Sequence, residues 1–321
     1  RNVLLCAEYS KLGRSRNRVL LYSAMKKSTV FLFVLLCLRV QGQDNPSLYA
    51  YVHNPIVLAP SFAGIQSGTL SVLSDFRFIG IEGAPRTSIT SFEYKLVEKN
   101  LGLAAMVTSD RIGPVQNNSV HISTAYHLQI SRDEYFSFGM RHGLHTFLMN
   151  LNDEKYIDLV DVSINTGVYN TFYYNLDLSG LYYTKDTYFG ASLFNVVNGQ
   201  FLIDNYTARS IGIFGGGSNQ FNRNIKLAYS GALFATAGKP VVVNMYAQYF
   251  LRPELRLGIH RHDRDYGFNA LFENRGLKLF YKYSYPTNML RYFSKQSHTF
   301  GFSYDFINEK RRVESPVFFL N

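Results

Sequence analysis

His260 and His262 stand two residues apart, with Asp263 and Asp265 just beyond, and this is the closest the chain comes to metal-ligand spacing. On an extended segment residues i and i+2 share a face, so both imidazoles would point the same way. Spacing supplies no third ligand, and a polar cluster beside a turn is the plainer expectation. Ser297-His298 sets a hydroxyl next to a base. A serine hydrolase also needs a Gly-x-Ser-x-Gly elbow and an acid to orient the histidine; the first is missing and no spacing ties an acid to His298. Gly215-Gly216-Gly217, with Gly212 nearby, has the freedom to wrap a phosphate, but no Lys-Ser/Thr pair follows it. A flexible loop is expected there. No catalytic, cofactor-binding or metal residue is assigned, and neither an enzyme activity nor a cofactor is expected.

The elements that must carry these residues follow from periodicity. Tyr (24) and Phe (26) are abundant, Trp is absent, and charged residues make up only 17 %. Dispersed aromatics at low charge suit strands better than soluble helices. Along 120–130, Val120, Ile122, Thr124, Tyr126, Leu128 and Ile130 oppose His121, Ser123, Ala125, His127 and Gln129. Segments 277–284 and 299–306 alternate in the same way, and short polar turns such as Lys99–Gly102, Asp263–Asp265 and Asn274–Gly276 separate such runs. The expected strands are 68–78, 87–97, 101–109, 119–130, 135–146, 155–168, 172–184, 187–197, 224–235, 241–251, 254–262, 266–273, 277–284 and 297–306.

A soluble β-sandwich would alternate too. Here the face opposite the apolar one is rich in Gly, Ser, Asn, His and Gln, which suits a lumen better than a charged surface. Tyr94, Tyr135, Tyr188, Phe189, Tyr249, Phe250, Tyr283 and Phe306 recur near strand ends, as an interfacial girdle requires. No stretch reaches the roughly 18 apolar residues of a transmembrane helix. The expected fold is therefore all-β: a transmembrane antiparallel up-and-down β-barrel of about 14 strands, meeting outer-membrane lipid.

Met25-Lys26-Lys27, the nine-residue apolar run Val30–Leu38 and Val40-Gln41-Gly42 have the layout of a secretory signal peptide. The expected organisation is 1–24 as an upstream, disordered extension, 25–42 as signal peptide, 43–66 as an N-terminal periplasmic or plug segment, 67–307 as barrel and 308–321 as tail. Residues 1–43 hold eight of the 33 basic residues and one of the 23 acidic ones, as well as both cysteines, Cys6 and Cys37. The formal charge of +10 thus falls to +3 without them, and a nucleic-acid partner is not expected. Longer connections are expected at 79–86, 110–118, 147–154, 198–223 and 285–296. Strand parity would put 198–223 alone on the periplasmic side, where with 43–66 it would meet other proteins.

Glycine and proline cluster in segments that carry no catalytic residue types. They are Asn54-Pro55, Ala59-Pro60-Ser61-Phe62-Ala63-Gly64, Gly80 with Gly83-Ala84-Pro85-Arg86-Thr87, Asp110-Arg111-Ile112-Gly113-Pro114 and Ala125-Tyr126-His127. This ordered set resembles the PorP/SprF family of Bacteroidetes from about residue 43 to the C-terminus, most sharply before residue 145. Departures lie at Asp75, at Arg77-Phe78 in place of the family's Gln-Trp, and at Ala59-Pro60-Ser61-Phe62 in place of Asn-Pro-Ala-Tyr. The resemblance implies an outer-membrane barrel of the type IX secretion and gliding-motility apparatus with no enzyme activity. Its implied partners are other secretion or motility proteins, or a secreted adhesin's C-terminal domain; a porin or small-solute channel is the rival. The implied partner-binding positions are Asn54, Pro55, Pro60, Ala63, Gly64, Gly80, Gly83, Ala84, Pro85, Thr87, Asp110, Gly113, Pro114, Tyr126 and His127.

Overall fold

The computed structural model describes residues 51–306 except 67, 97–99, 152–166, 198–199, 203–204, 223–224, 264, 288–291 and 293–295. The expected leader, signal peptide and tail, and most of the strand expected at 155–168, lie outside the described residues. The first strands are β1 (Thr69–Phe76), β2 (Arg86–Leu96), β3 (Leu101–Ile112), β4 (Val115–Ser131), β5 (Glu134–Asn150), β6 (Val168–Thr184) and β7 (Thr187–Val197). A two-stranded ribbon follows, β8 (Gln200–Leu202) with β9 (Asn205–Tyr206). The rest are β10 (Ser210–Asn222), β11 (Ile225–Thr236), β12 (Val242–Arg252), β13 (Leu255–His262), β14 (Asp265–Asn274), β15 (Leu277–Pro286) and β16 (Ser297–Asp305).

Fourteen of these, all but β8 and β9, close into one antiparallel barrel in chain order, with β1 sealed against β16 from Thr69↔Asp305 to Phe76↔His298. Closure leaves no unpaired edge, which a strand in lipid cannot tolerate. The alternation sorts side chains as expected. Val120, Ile122, Tyr126, Leu128, Phe300, Phe302 and Tyr304 point outward and exposed, while His121, Ser123, His127, Thr299 and Ser303 are buried inside. Of the girdle residues, Tyr94, Phe189, Tyr249 and Phe306 are exposed outward. Tyr188 is buried within, and Tyr135 and Phe250 pack against the same inner cluster. In Tyr188-Phe189 and Tyr249-Phe250 two adjacent aromatics must face opposite sides of one strand, so only one of each can join the girdle.

The strand count agrees with expectation, but two elements differ. β5 and β6 are neighbours in the barrel, without the strand expected between them at 155–168, and a strand stands where a loop was expected. Residues 210–222, read from sequence as part of a loop, form β10. The three glycines belong to that strand, Gly216 pairing with Tyr188 and Ser230. Glycines show no two-residue pattern, and their space is needed: a Cβ at Gly212 would press on Phe234, one at Gly216 on Tyr188. The expected 110–118 loop is also a two-residue turn, Gly113-Pro114, since Asn117, Asn118 and Ser119 are ladder residues. Because β5 pairs directly with β6, from Glu134↔Thr184 to Asn150↔Val168, seven barrel strands and not the expected eight precede the connection after β7, which reverses its parity. Residues 198–209 join β7 to β10 at the same end as 77–85, 151–167 and 287–296. The opposite end has only short turns, such as 132–133, 185–186 and 275–276, and both β1 and β16 have their outer termini there.

Candidate functional site

Residues 51–66 lie inside the barrel. Every described side chain among them is buried. Pro55 and Pro60 each begin a 3-10 turn, Pro55–Val57 and Pro60–Phe62, where a missing N–H costs nothing and the ring's fixed φ already fits. Such compact turns leave main-chain groups unpaired, and in a water-poor interior each must find a partner. The barrel wall supplies them. Ser192 Oγ donates to Leu58 O at 3.1 Å, Ser137 Oγ to Ser61 O at 2.9 Å, and the Ser61 N–H donates to Ser179 Oγ at 2.8 Å. His127 Nε2 meets Ala63 O at 2.8 Å, and the Gly64 N–H donates to Glu93 Oε2 at 3.2 Å.

Side chains of the segment are held as well. Asn54 Nδ2 donates to Ser91 Oγ at 2.7 Å, Tyr51 Oη meets Ser230 Oγ at 3.1 Å and His53 Nε2 meets Ser303 Oγ at 2.9 Å. Phe62 packs between Tyr188 and Phe214, with ring centroids 5.8 and 5.7 Å away. Backbone approaches are close: a Cβ at Gly102 would collide with Ala63 O, and one at Gly139 with the main chain at Pro60-Ser61. Gly64 has φ +76, where a side chain would be strained as well as crowded against Gly102. Burial of His53, which belongs to no strand, pushes its pKa down to about 4; contact with the Phe302 backbone opposes this and the Lys278 charge adds to it.

Arg141 is the one cation in this set and was not singled out in the sequence. Its Nε donates to Asp177 Oδ2 at 2.8 Å and its Nη1 to Ile56 O at 3.0 Å, so a buried ion pair on β5 and β6 grips the inner segment. Removing one partner of such a pair would strand a buried charge. The available signal was a charge at an inward position of an otherwise alternating strand, seen at Glu93, Arg141 and Asp177 alike.

The residues singled out in the sequence fall into two groups. Asn54, Pro55, Pro60, Ala63, Gly64 and His127 come together at the inner segment. Gly80, Gly83, Ala84, Pro85, Thr87, Asp110, Gly113 and Pro114 gather at the barrel end with the long connections. There the Gly113 N–H donates to Gly83 O at 2.8 Å, Thr87 Oγ1 to Asp110 Oδ1 at 2.6 Å, and the Asn150 N–H to Pro114 O at 3.0 Å. Gly80, Gly83 and Gly113 all have positive φ, which explains glycine in this clasp. Tyr126 belongs to neither group and faces outward. His260 bonds Ser284 Oγ at 2.9 Å inside the wall, with His262 and Asp265 buried nearby. Among the described residues no group of three or more His, Cys, Asp or Glu is arranged to hold a metal ion. Ser297 Oγ accepts the Phe78 N–H at 3.1 Å, whereas His298 bonds Tyr281 Oη at 2.9 Å; the strand turns the two side chains to opposite faces.

The sequence model of the type IX secretion system membrane protein PorP/SprF matches residues 40–304. The chain belongs to the PorP/SprF family. This makes it a membrane component of the type IX secretion system, located in the outer membrane, where its closed barrel and apolar outer face fit. Other components of that system are its partners at the level the family defines. No curated protein matches the sequence. Among solved structures, the toluene transporter TodX of Pseudomonas putida is similar at 12 % identity, over 80 % of this chain and 93 % of that one, with a TM-score of 0.48. Omp33 of Acinetobacter baumannii is similar at 10 % identity over 76 % and 100 %, with a TM-score of 0.44.

Proposed function

We propose that this PorP/SprF protein works as a closed docking element, holding secreted proteins or periplasmic secretion components at the outer membrane, and not as a diffusion pore or an enzyme. One observation carries the reading: residues 51–66 occupy the lumen, bonded to seven different strands. A general porin keeps a water-filled channel, whereas a lumen packed by its own chain leaves the barrel ends as the working surfaces. Barrels of this class have short periplasmic turns and longer external loops, so the inner segment enters from the periplasm and the 77–85 and 113–114 clasp faces outward. In this reading Gly80, Gly83, Ala84, Pro85, Gly113 and Pro114 shape a contact surface. Asn54, Pro55, Pro60, Ala63, Gly64 and His127 act indirectly by keeping the lumen filled.

Two measurements test this together. Purified protein in planar bilayers should give no steady conductance, and a variant lacking residues 51–66 should give open channels if it still inserts. A pull-down from outer-membrane extract should recover components of the secretion apparatus with the intact chain. Steady porin-like conductance of the intact protein, with no such component recovered, would hand the function to the channel reading.

A further inference from the structure

On the outside of the barrel, β2, β3 and β4 change character together. Their register sets the outward residues in rows: Phe92, Ala105 and Ile122 in one, Thr90, Val107 and Val120 in the next towards the long connections. Then come Ser88, Ser109 and Asn118, and last Arg86, Arg111 and Gln116. Within two steps of two residues, about 7 Å of strand each, the face passes from apolar through polar to cationic. Asn118 Oδ1 accepts from Ser109 Oγ at 2.7 Å and from Gln116 Nε2 at 3.2 Å, which ties the two polar rows together. Arg86 and Arg111 are direct cross-strand partners, and both are exposed. Like charges so placed repel and weaken a ladder. Neither arginine has an ion-pair partner among the described residues. Asp110, beside Arg111, faces the interior, where Thr87 holds it. Two adjacent guanidinium groups without an acid favour an anion between them.

We propose that this patch binds the phosphorylated sugar headgroup of an outer-leaflet glycolipid. The planar fork of a guanidinium fits phosphate oxygens two at a time, and a phosphate between the two arginines removes their repulsion. Sugar hydroxyls both donate and accept, which suits the serine hydroxyls and side-chain amides of the polar rows. The acyl chains then run down over Val107, Val120 and Ile122, which are exposed on the same face. Depth selects a lipid over a protein partner. Strands tilted by about 40° climb about 5 Å per two-residue step, and the headgroup layer is about 5–8 Å deep. Arginines two rows beyond the last apolar row, pointing sideways from the wall, therefore lie at the level of headgroup phosphates. The inference shares with the docking reading only the orientation of the barrel, with this end at the cell surface.

The test uses the purified barrel in detergent micelles, with diphosphoryl lipid A, dephosphorylated lipid A and phosphatidylglycerol titrated separately and binding read by native mass spectrometry. Diphosphoryl lipid A should bind saturably. The double variant Arg86→Gln/Arg111→Gln should bind it about tenfold more weakly, and removal of the phosphates should cost the wild type as much. Arg252→Gln, at an exposed position at the opposite end, should change nothing. Without lipid the double variant should resist urea at least as well as the wild type, since a like-charge pair is gone; this also shows that it folds. If diphosphoryl lipid A does not bind, or if it binds the double variant as tightly as the wild type, the proposal fails. Equal binding of dephosphorylated lipid A would leave only an apolar contact and overturn it too. Tighter binding of phosphatidylglycerol would assign the patch to a phospholipid. If the double variant keeps lipid A but loses a secretion component in the pull-down, the arginines belong to a protein partner instead.

Discussion

Ala63 and His127, 64 residues apart, meet in the lumen with 2.8 Å between the carbonyl oxygen and Nε2. A carbonyl can only accept, so Nε2 carries the proton. Nδ1 is then bare and must accept from Tyr183 Oη, also 2.8 Å away. The tautomer is fixed by the inner segment and the wall jointly. Tyr183→Phe keeps the ring stacked on Tyr135 but leaves Nδ1 buried without a donor. It should lower stability by about 1–3 kcal/mol. Tyr126→Phe, on the outward face of the same strand as His127, should change it by less than about 0.5 kcal/mol. Urea unfolding of the reconstituted barrel compares them, and equal effects would remove His127 from the latch.

Gly102 and Gly139 are where the wall and the inner segment come closest. In Gly102→Ala or Gly139→Ala the added methyl meets main chain on residues 60–63, which cannot turn aside as a flexible side chain would. Either substitution should cost about 1–3 kcal/mol by overpacking. The barrel should still insert, but residues 51–66 should become a protease target in detergent. Gly231→Ala, whose Cβ would meet nothing nearer than 3.7 Å, is the matched control. Protection equal to that control would mean that the segment is seated more loosely than its contacts imply.

Much of this architecture was readable from alternation alone. Wherever Val120, Ile122 and Leu128 oppose His121, Ser123 and His127, a strand and its facing follow directly. Reading failed where side chains carry no pattern, and Gly215-Gly216-Gly217 hid β10 because three residues without side chains have no facing to read. The Gly-Pro motifs indicated imposed turns, but nothing local in Asn54-Pro55 or Pro60-Ser61 says that the turn sits in a lumen. Their partners, Ser91, Ser179 and Ser192, are far along the chain, and a lone inward serine resembles any polar lumen residue. Arg141 and Asp177 were equally silent, since their pairing depends on the β5–β6 register.

The outward facing has its own test. Ile122 and Phe302 sit near the middle of β4 and β16, with no partner but lipid outside. Ile122→Arg and Phe302→Arg should each cost about 2–4 kcal/mol near the bilayer midplane, while the same change at Phe306, beyond the strand end, should cost about 0–1 kcal/mol. Folding into lipid vesicles, followed by denaturant titration, measures all three. Equal tolerance would show that these faces do not lie against hydrocarbon.

Acid should loosen the inner segment through His53. Seated, the ring is buried against Phe280, bonded to Ser303 and close to Lys278, and its pKa stands at about 4. Released into water it would return to about 6.5. Because the seated pKa is the lower, the released state binds more protons between these values. The contribution is complete above about pH 6.5, declines as pH falls, and is gone below about pH 4, a change on the order of 3 kcal/mol. Lys278 also faces Glu273 and Asp305, at 3.7 and 3.6 Å, and protonation of those carboxylates at the acid end would leave its charge less screened from His53. Side-chain NMR should find His53 uncharged at pH 5, and protease release of residues 51–66 should rise between pH 6.5 and 4. His53→Gln should flatten that dependence. A His53 midpoint near 6.5 would mean the ring is in water and the lumen is not filled as described.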